Sequence, residues 1–224
     1  MRNIVLTGIS RGLGKCLFQE LSKLGDVHLF ALGRNLPEEN QEMKATFVPC
    51  DFSHFSNLPM LSEVIPVDGD VIFINNAGSV EPIGEIGAFD MAKLHCAAQV
   101  NFVSPMGICN QLVHLCRKNR QRLTVINIST GAAVHPIVGW SAYCSTKAAI
   151  KMFLDVLNEQ GKLSGDIDVI HFDPGVMDTG MQKRIRSASS DEFPRLTEFL
   201  TYKENGKLRA PEDVAREIVQ KYIK

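Results

Sequence analysis

The stretch TGISRGLG, residues 7–14, joins an apolar run to a helical pattern and decides how the rest of the chain is interpreted. Its three glycines, Gly8, Gly12 and Gly14, permit a tight turn and let the backbone approach a pyrophosphate at the N-terminus of the following helix. Glycines alone are weak evidence, because any connection from a strand to a helix can contain them. Their position directly between a strand and an amphipathic helix favours a nucleotide-binding α/β domain.

Short β-branched segments alternate with longer helical patterns along the whole chain. This alternation is typical of strand–helix–strand units, which form parallel sheets. We therefore expect one doubly wound, Rossmann-type α/β domain over residues 1–224, with helices on both faces of a single parallel sheet. The predicted strands are 3–7, 27–33, 45–50, 70–78, 123–129 and 167–175. The predicted helices are 12–25 (with Gly25 as its stop), 89–118, 142–160 and one that begins after Pro211.

Two connections depart from this regular alternation. Residues 35–44, NLPEENQEMK, leave little room for a full crossover helix between the second and third strands. Residues 180–206 are polar, mixed in charge and weakly periodic, and we expect them to form short helices over an open cleft.

The composition excludes several classes of function. The formal net charge is −1, so no basic field favours nucleic acid or an anionic membrane surface as a partner. No apolar run is long enough to span a membrane, and the six histidines and six cysteines show no metal-ligand spacing. No disulfide framework is expected either, and unpaired thiols favour the reducing cytoplasm. A small molecule is the expected partner.

The second predicted strand indicates which nucleotide is bound. A carboxylate at the end of this strand usually holds the free ribose 2′-hydroxyl of NAD, but here the strand ends in LGRN, with Arg34 and no acid. Arg11 lies in the glycine-rich turn and can reach the same place. Two guanidinium groups favour a 2′-phosphate, to which arginine forms paired, charge-assisted bonds. Either arginine could instead be a solvated loop residue; together they favour NADP(H).

The stretch SAYCSTK, residues 141–147, places Tyr143 and Lys147 one helical turn apart on the same face. Ser129 ends the fifth predicted strand, at the edge of the sheet where parallel sheets bind ligands. A neighbouring ammonium is expected to lower the pKa of a phenol, which is ordinarily about 10. We therefore interpret Tyr143 as the proton donor to a carbonyl oxygen, Lys147 as the group that tunes it, and Ser129 as a hydrogen-bond donor to that oxygen. The alternative is that Tyr143 packs in the core and Lys147 reaches the surface beside it.

The combined motifs resemble the short-chain dehydrogenase/reductase family. They are TGISRGLG, NNAG (75–78), Asn101, Ser129, YCSTK (143–147) and DPGVMDTGM (173–181), and they cover nearly the whole chain in order. Within the family the details are similar to the sepiapterin reductase and bacterial benzil reductase branch. The resemblance implies NADPH-dependent reduction of a ketone or dicarbonyl compound, in a homodimer or homotetramer built on the two long helices.

The resemblance also implies roles for individual residues. Asn101 is expected to hold a proton-relay water, Asp51 to contact the adenine, and Val176 and Thr179 to anchor the nicotinamide amide and pyrophosphate. Asn101 could instead be an ordinary buried amide, and Asp51 could be the N-cap of a helix that begins near Phe52. The full set of expected cofactor contacts is Gly8, Ser10, Arg11, Gly12, Leu13, Gly14, Arg34, Asp51, Asn76, Ala77, Gly78, Tyr143, Lys147, Pro174, Gly175, Val176 and Thr179.

The substrate side of the predicted site is apolar. The residues expected to flank the carbonyl are Val134, Ile137, Val138, Trp140 and Met181, which favours a small hydrophobic or aromatic substrate. Direct substrate contacts are expected from Ser129, Trp140, Tyr143 and Met181. Cys144 is expected to pack in the core and His135 to lie on the surface.

The C-terminal part of the sequence departs from the pattern of the family, and two alternative functions remain. Members commonly add a seventh strand after the last helix, where sepiapterin reductases carry a substrate-binding aspartate; nothing in this sequence matches either. Six strands are therefore expected. The alternatives to carbonyl reduction are an NAD-dependent alcohol dehydrogenase that works oxidatively, and a nucleotide-sensing protein that has kept the fold without the chemistry.

Overall fold

The parallel sheet is the centre of the structure, a computed structural model that describes residues 1–36 and 44–224. In these residues six strands, all parallel, lie in the order β3-β2-β1-β4-β5-β6. The strands are β1 (Arg2–Thr7), β2 (Val27–Gly33), β3 (Thr46–Pro49), β4 (Val71–Asn75), β5 (Leu123–Ile128) and β6 (Ile167–Phe172). This order confirms the predicted doubly wound α/β fold. The connection between β2 and β3 falls largely on residues 37–43, outside the described residues.

The helices lie on both faces of the sheet, as the sequence predicts. They are α1 (Gly12–Leu21), α2 (Met91–Ala98), α3 (Ser104–Asn119), α4 (Ser141–Ser164), α5 (Gly180–Arg186), α6 (Leu196–Glu204) and α7 (Pro211–Tyr222). Short 3₁₀ helices occupy Phe55–Asn57, Leu61–Glu63 and Gly131–Ala133. The predicted end of α1 at Gly25 is wrong, because the helix already ends at Leu21 with Ser22 as its C-cap.

One face of the sheet is covered by α1 and α7. Leu13, Leu17 and Leu21 recur at helical spacing along α1 and pack in a core that includes Ile4 of β1 and Ile218 of α7. These side chains are at most 4% exposed. Burying a leucine or isoleucine side chain contributes about 1.5–3 kcal/mol, so this layer fixes α1 and the glycine-rich turn that precedes it.

The opposite face is covered by α3 and α4. Phe73 of β4 and Val125 of β5 pack there against Leu112 of α3 and Ile150 and Leu154 of α4. The predicted single helix 89–118 is wrong in its middle. Residues Gln99–Val103 form a π-helical segment between α2 and α3, which widens the helix by one residue per turn.

The predicted short helices in residues 180–206 are α5 and α6. Their apolar residues form a third core with the segment that precedes α4. Phe193 stacks on Trp140 with ring centroids 4.9 Å apart, and Phe199 meets Trp140 edge-on at 5.3 Å. Gly139 permits this packing: its φ is +88°, and a Cβ there would lie 2.4 Å from the carbonyl oxygen of Glu192.

Candidate active site

A deep crevice opens at the carboxyl ends of the strands. β1 lies between β2 and β4, so the chain reverses its direction of travel across the sheet beside β1. Ligands of doubly wound sheets bind at such a reversal. A cavity of about 670 Å³ lies there. Twenty of the sequence-predicted site residues line it, namely Gly8, Ser10, Arg11, Gly12, Leu13, Gly14, Arg34, Asp51, Asn76, Ala77, Gly78, Ser129, Trp140, Tyr143, Lys147, Pro174, Gly175, Val176, Thr179 and Met181.

The glycine-rich turn forms one end of the cavity. Gly8 has a φ of +77°, and a Cβ at Gly14 would lie 2.0 Å from the carbonyl oxygen of Gly8, so neither position accepts a side chain without a backbone shift. Asn76 holds the turn in place, because its Nδ2 donates to the carbonyl oxygens of Thr7 at 2.9 Å and Gly8 at 3.2 Å. The free N-terminus of α1 therefore faces the cavity at a point that a phosphate can approach closely.

Both predicted phosphate-binding arginines line this end of the cavity. Arg11 occupies the N-cap position of α1, and Arg34 follows the last residue of β2. Asp51 lies on the same wall, and its carboxylate accepts hydrogen bonds from the backbone N–H of Ser53 at 3.0 Å and its hydroxyl at 2.8 Å. These bonds, together with the charge of Arg34, hold the pKa of Asp51 below its usual range. No helix begins at Phe52, so Asp51 closes a local turn and is not a helix cap.

Asn101 is the predicted catalytic residue that does not line the cavity. It is 1% exposed and lies in the π-helical segment. Its Oδ1 accepts from the backbone N–H of Ser79 at 2.8 Å, and its Nδ2 donates to the carbonyl oxygen of Ser79 at 2.8 Å and to Thr146 Oγ1 at 3.1 Å. The side chain thus ties the loop after β4 to α4, and its role in holding a relay water stays a prediction.

Tyr143 and Lys147 lie on one face of α4 and both line the cavity, as the four-residue spacing predicts. The Lys147 ammonium is 6.0 Å from the centroid of the Tyr143 ring and donates to the carbonyl oxygen of Ile128 at 3.0 Å. Ser129 directly follows Ile128, and its backbone N–H donates to the carbonyl oxygen of Phe172 at 2.8 Å. The ends of β5 and β6 and the first turns of α4 therefore converge on one wall.

The pKa values differ from the expectation that Lys147 makes the phenol more acidic. Burial raises the pKa of Tyr143 to about 12, although a hydrogen bond with the Thr130 side chain lowers it in part, and Asp173 raises it further. Burial also lowers the pKa of Lys147 to about 8. Desolvation disfavours the charged form of both groups and is the main cause of both pKa shifts.

Aromatic rings form the other end of the cavity. Trp140 meets the Tyr143 ring edge-on, with centroids 5.6 Å apart, and Met181 and Ile137 line the cavity beside it. Val134 and Val138 were expected there but are 60% and 67% exposed and do not line it. They lie on the outer side of the loop that carries Ile137.

The two remaining predictions for this wall are borne out in different degrees. Cys144 packs against the aromatic core, as predicted. His135 is exposed as predicted, but it also lies at the cavity rim.

Several residues that line the cavity were not predicted from the sequence. Thr130 was signalled only by its place beside Ser129. Arg195, Phe199 and Tyr202 lie in the weakly periodic segment 180–206, where no motif indicated which side chains face the cleft. Their positions follow from the packing of α6 on Trp140, which is a tertiary contact.

Other site types have little support in the described part of the chain. None of its helices is long and apolar enough to cross a bilayer. No three or more His, Cys, Asp or Glu side chains of residues 1–36 and 44–224 come together as a metal site could require. All six cysteines are free.

Comparison with known proteins agrees with this fold and with the sequence motifs. The model of the short chain dehydrogenase family matches residues 2–190. A benzil reductase ((S)-benzoin forming) of Bacillus subtilis is 34% identical over 96% of this chain and 90% of its own length. The sepiapterin reductase of Bos taurus is 28% identical over 84% of this chain and 77% of its own length.

A solved structure gives the same result in three dimensions. The crystal structure of the KRED1-Pglu enzyme superposes with a TM-score of 0.84 at 27% identity, over 100% of this chain and 97% of that chain. The fold, the glycine-rich turn, the Tyr143–Lys147 face and these similarities together establish that the chain belongs to the short-chain dehydrogenase family of oxidoreductases.

Proposed function

We propose that this protein reduces a ketone or dicarbonyl compound to the alcohol, with NADPH as hydride donor. The observation that carries the proposal is the joint placement of Ser129, Tyr143 and Lys147 on one wall of the cavity whose far end is the glycine-rich turn. The cradle formed by Gly8, Gly14 and the N-terminus of α1 fits a dinucleotide, because each glycine lies where a Cβ would collide with backbone. When bound, that cofactor supplies the hydride.

Tyr143 donates its phenolic proton to the carbonyl oxygen of the substrate. With a pKa of about 12, this phenol keeps its proton at neutral pH. A protonated phenol suits reduction, because the oxygen that receives it becomes a strongly basic alkoxide as the carbon is reduced. Oxidation of an alcohol is the reverse of this transfer and needs the phenolate instead.

Ser129 and Lys147 support this step from either side. Ser129 directly follows β5, and its hydroxyl donates a hydrogen bond to the same substrate oxygen, which stabilises the negative charge that develops there. Lys147 binds the ribose next to the nicotinamide, and its ammonium favours the phenolate that remains after proton transfer. Its bond to the Ile128 carbonyl oxygen holds the amine between these two partners.

The two arginines at the other end of the cavity support NADP(H) over NAD(H). Arg11 and Arg34 line it together, and Gly33 and Arg34 stand at the end of β2 where NAD-binding members of such folds carry a carboxylate. Asp51 is engaged with Ser53 and leaves both guanidinium groups available for a 2′-phosphate.

An aromatic or otherwise hydrophobic substrate matches the other end of the cavity. Trp140, Phe199 and Tyr202 line it, together with Met181 and Ile185. Flat rings stack well on such walls. The Bacillus relatives are described as reductases of benzil, an aromatic diketone, which supports a dicarbonyl substrate here.

We further propose a cytoplasmic homodimer or homotetramer. Six free thiols suit a reducing compartment. The outer face of α4 carries Met152 and Val156, which are 64% and 53% exposed and one turn apart, next to the α2–α3 side of the molecule. Such an apolar face suits association between copies of the chain.

The test is to offer the protein a panel of carbonyl compounds that contains aromatic ketones and diketones. Turnover is measured as oxidation of the reduced cofactor. We expect reduction with NADPH at a kcat/KM at least about tenfold above that with NADH, and a loss of about 10²–10⁴-fold in kcat for Tyr143→Phe. Tight NADPH binding without turnover of any compound would favour the nucleotide-sensing alternative. Turnover of alcohols with NAD alone would favour the oxidative one.

A further inference from the structure

The cavity contains one feature that neither the proton transfer nor the cofactor site uses: a cation–carboxylate pair behind its aromatic wall. Arg195 immediately precedes α6 and lines the cavity. Its Nε donates to Glu198 Oε2 at 2.7 Å and its Nη2 donates to Glu198 Oε1 at 2.8 Å. The Tyr202 hydroxyl donates to the same Oε1. This geometry is a paired, charge-assisted contact, which is stronger and more specific than most surface ion pairs.

The pair lies close to the substrate end of the cavity. The guanidinium carbon of Arg195 is 6.0 Å from the centroid of the Phe199 ring, Phe199 contacts Trp140 edge-on at 5.3 Å, and Trp140 contacts Tyr143 at 5.6 Å. A cation next to the rings is thus separated from the proton donor by two aromatic contacts. A substrate that reaches from Tyr143 along this wall approaches Arg195 with its distal end.

The charges around Arg195 determine which chemical groups the distal end of the substrate can carry. An arginine that lines an apolar cavity attracts a carboxylate, because five N–H donors surround its fixed charge. Here Glu198, which itself does not line the cavity, offsets that charge from behind. The hydrogen bonds from Arg195 and Tyr202 hold the pKa of Glu198 below its usual range, so the carboxylate stays charged at neutral pH.

We propose that Glu198 is a specificity-determining residue, which neutralises Arg195 and so makes the cavity accept neutral carbonyl compounds and reject those that carry a carboxylate. This inference rests on the proposed carbonyl reduction and names its substrate class more narrowly. Asp173 acts in the same direction, since it lines the cavity and its charge is felt at Tyr143. Specificity of this kind works by disfavouring the wrong ligand.

The test compares methyl 4-acetylbenzoate with 4-acetylbenzoate, which share the keto group and the ring and differ in the charge of the group at the far end from the ketone. In the unmodified protein we expect kcat/KM for the ester to exceed that for the acid by at least about tenfold. Glu198→Gln keeps a hydrogen-bond acceptor for Arg195 but removes the negative charge. It should lower the ester-to-acid ratio by about tenfold, mainly through a lower KM for the acid, and the change should shrink at high salt.

Two further variants control this result. Glu204→Gln removes an exposed charge from the same helix outside the cavity and should leave the ratio as it is. In Arg195→Gln/Glu198→Gln the cation is also gone, and the ratio should return to that of the unmodified protein. The proposal is overturned if Glu198→Gln leaves the ratio unchanged, or if Glu204→Gln shifts it equally.

Failure of the proposed function is distinguished by a binding measurement. Trp140, the one tryptophan of the chain, lies in the cavity wall, so its fluorescence reports ligand binding without turnover. If neither compound is reduced, 4-acetylbenzoate titrated into the NADPH complex should still bind about tenfold more tightly to Glu198→Gln than to the unmodified protein. Equal dissociation constants would refute the role of Glu198 whatever the reaction.

Discussion

Lys147 is an amine that is only 6% exposed, and holding its charge there costs folding free energy at neutral pH. Its pKa of about 8 in the fold, against 10.5 for the free side chain, corresponds to a cost of roughly 3 kcal/mol. The hydrogen bond to the Ile128 carbonyl oxygen recovers part of this. The fold therefore carries a penalty at the point where the proposed chemistry needs an amine, a common feature of active sites.

Replacing this amine should make the protein more stable and inactive. We expect Lys147→Met to raise the free energy of unfolding by about 1–2 kcal/mol at neutral pH, because the buried charge disappears while the lost hydrogen bond offsets part of the gain. The folded pKa lies below the unfolded one, so the original protein gains stability as the pH rises from about 8 to about 10.5.

The variant has no such gain, so the difference between the two proteins should shrink in that range. Urea unfolding at neutral pH and near the upper end of the range measures both values. A variant less stable than the original at neutral pH would show that the hydrogen bond outweighs the cost of the charge.

Single residues were predictable from the sequence where a motif fixes them locally. Gly8, Gly14, Tyr143 and Lys147 belong to turns or helix spacings whose geometry follows from a few adjacent residues. The bonds of Asn101 to Ser79 and Thr146 were not predictable in this way. They depend on loops that meet only in the folded protein, which spacing along the chain does not specify.

At the scale of elements, a ladder of polar side chains links three strands to α4. Asn75, Asn127 and His171 are register neighbours on β4, β5 and β6. Asn75 Nδ2 donates to Asn127 Oδ1 at 2.9 Å, and Asn127 Nδ2 lies 3.1 Å from His171 Nδ1. His171 Nε2 lies 3.0 Å from Asp155 Oδ1, and Lys151 donates to the other oxygen of Asp155 at 2.8 Å.

This ladder assigns the proton of His171. An amide N–H that faces Nδ1 requires a lone pair there, so the proton lies on Nε2 and is donated to Asp155. Burial lowers the pKa of His171, although Asp155 opposes this shift and Lys151 adds to it. A second proton on Nδ1 would face the Asn127 amide N–H, and the neutral ring is therefore the form that the fold stabilises.

Acid should weaken the fold partly through this ring. Because the folded pKa of His171 is lowered, the unfolded chain takes up a proton first, and stability falls as the pH drops below about 6.5. His171→Gln keeps one acceptor and one donor but does not titrate. We expect its stability to match the original within about 1 kcal/mol at mildly basic pH and to decline less in acid.

His171→Leu provides the contrast. It leaves Asn127 and Asp155 without their partner and should lose about 1–3 kcal/mol at both pH values. Denaturant midpoints at the two pH values for the three proteins separate the titration from the hydrogen bonds. If His171→Gln declined in acid as steeply as the original, another group would be responsible.

Helices and strands were predicted well where the periodicity of their apolar residues is strong. They were predicted less well where contacts with other parts of the fold change their geometry. The leucines of α1 and the apolar strands follow directly from pattern. The π-helical segment Gln99–Val103 does not, because helical periodicity is nearly the same on either side of it. The C-terminal limit of α1 was also misjudged, since Ser22 ends the helix three residues before the glycine that looked like its stop.

For the whole molecule, the alternation of strands and helices predicted one parallel sheet with helices on both faces, because right-handed parallel connections leave few other topologies. The third core was not predictable in detail. It depends on Trp140 stacking against Phe193 from a segment with weak periodicity. The aromatic wall and the Arg195–Glu198 pair were therefore not predictable from the sequence.

The exposed apolar residues on the outer face of α4 lead to a prediction about association between copies of the chain. If copies of the chain pack through α4 and the adjoining α2–α3 side, light scattering should give the mass of two or four chains. Val156→Glu should then give monomers, because a buried, unpaired carboxylate at such an interface costs several kcal/mol. Leu200 is also apolar, is 39% exposed and lies on α6, which packs on α5, so Leu200→Glu should leave the mass unchanged. Equal masses for all three proteins would place any interface elsewhere. Activity of a Val156→Glu monomer would show, in addition, that the cavity is complete within one chain, as its lining residues lead us to expect.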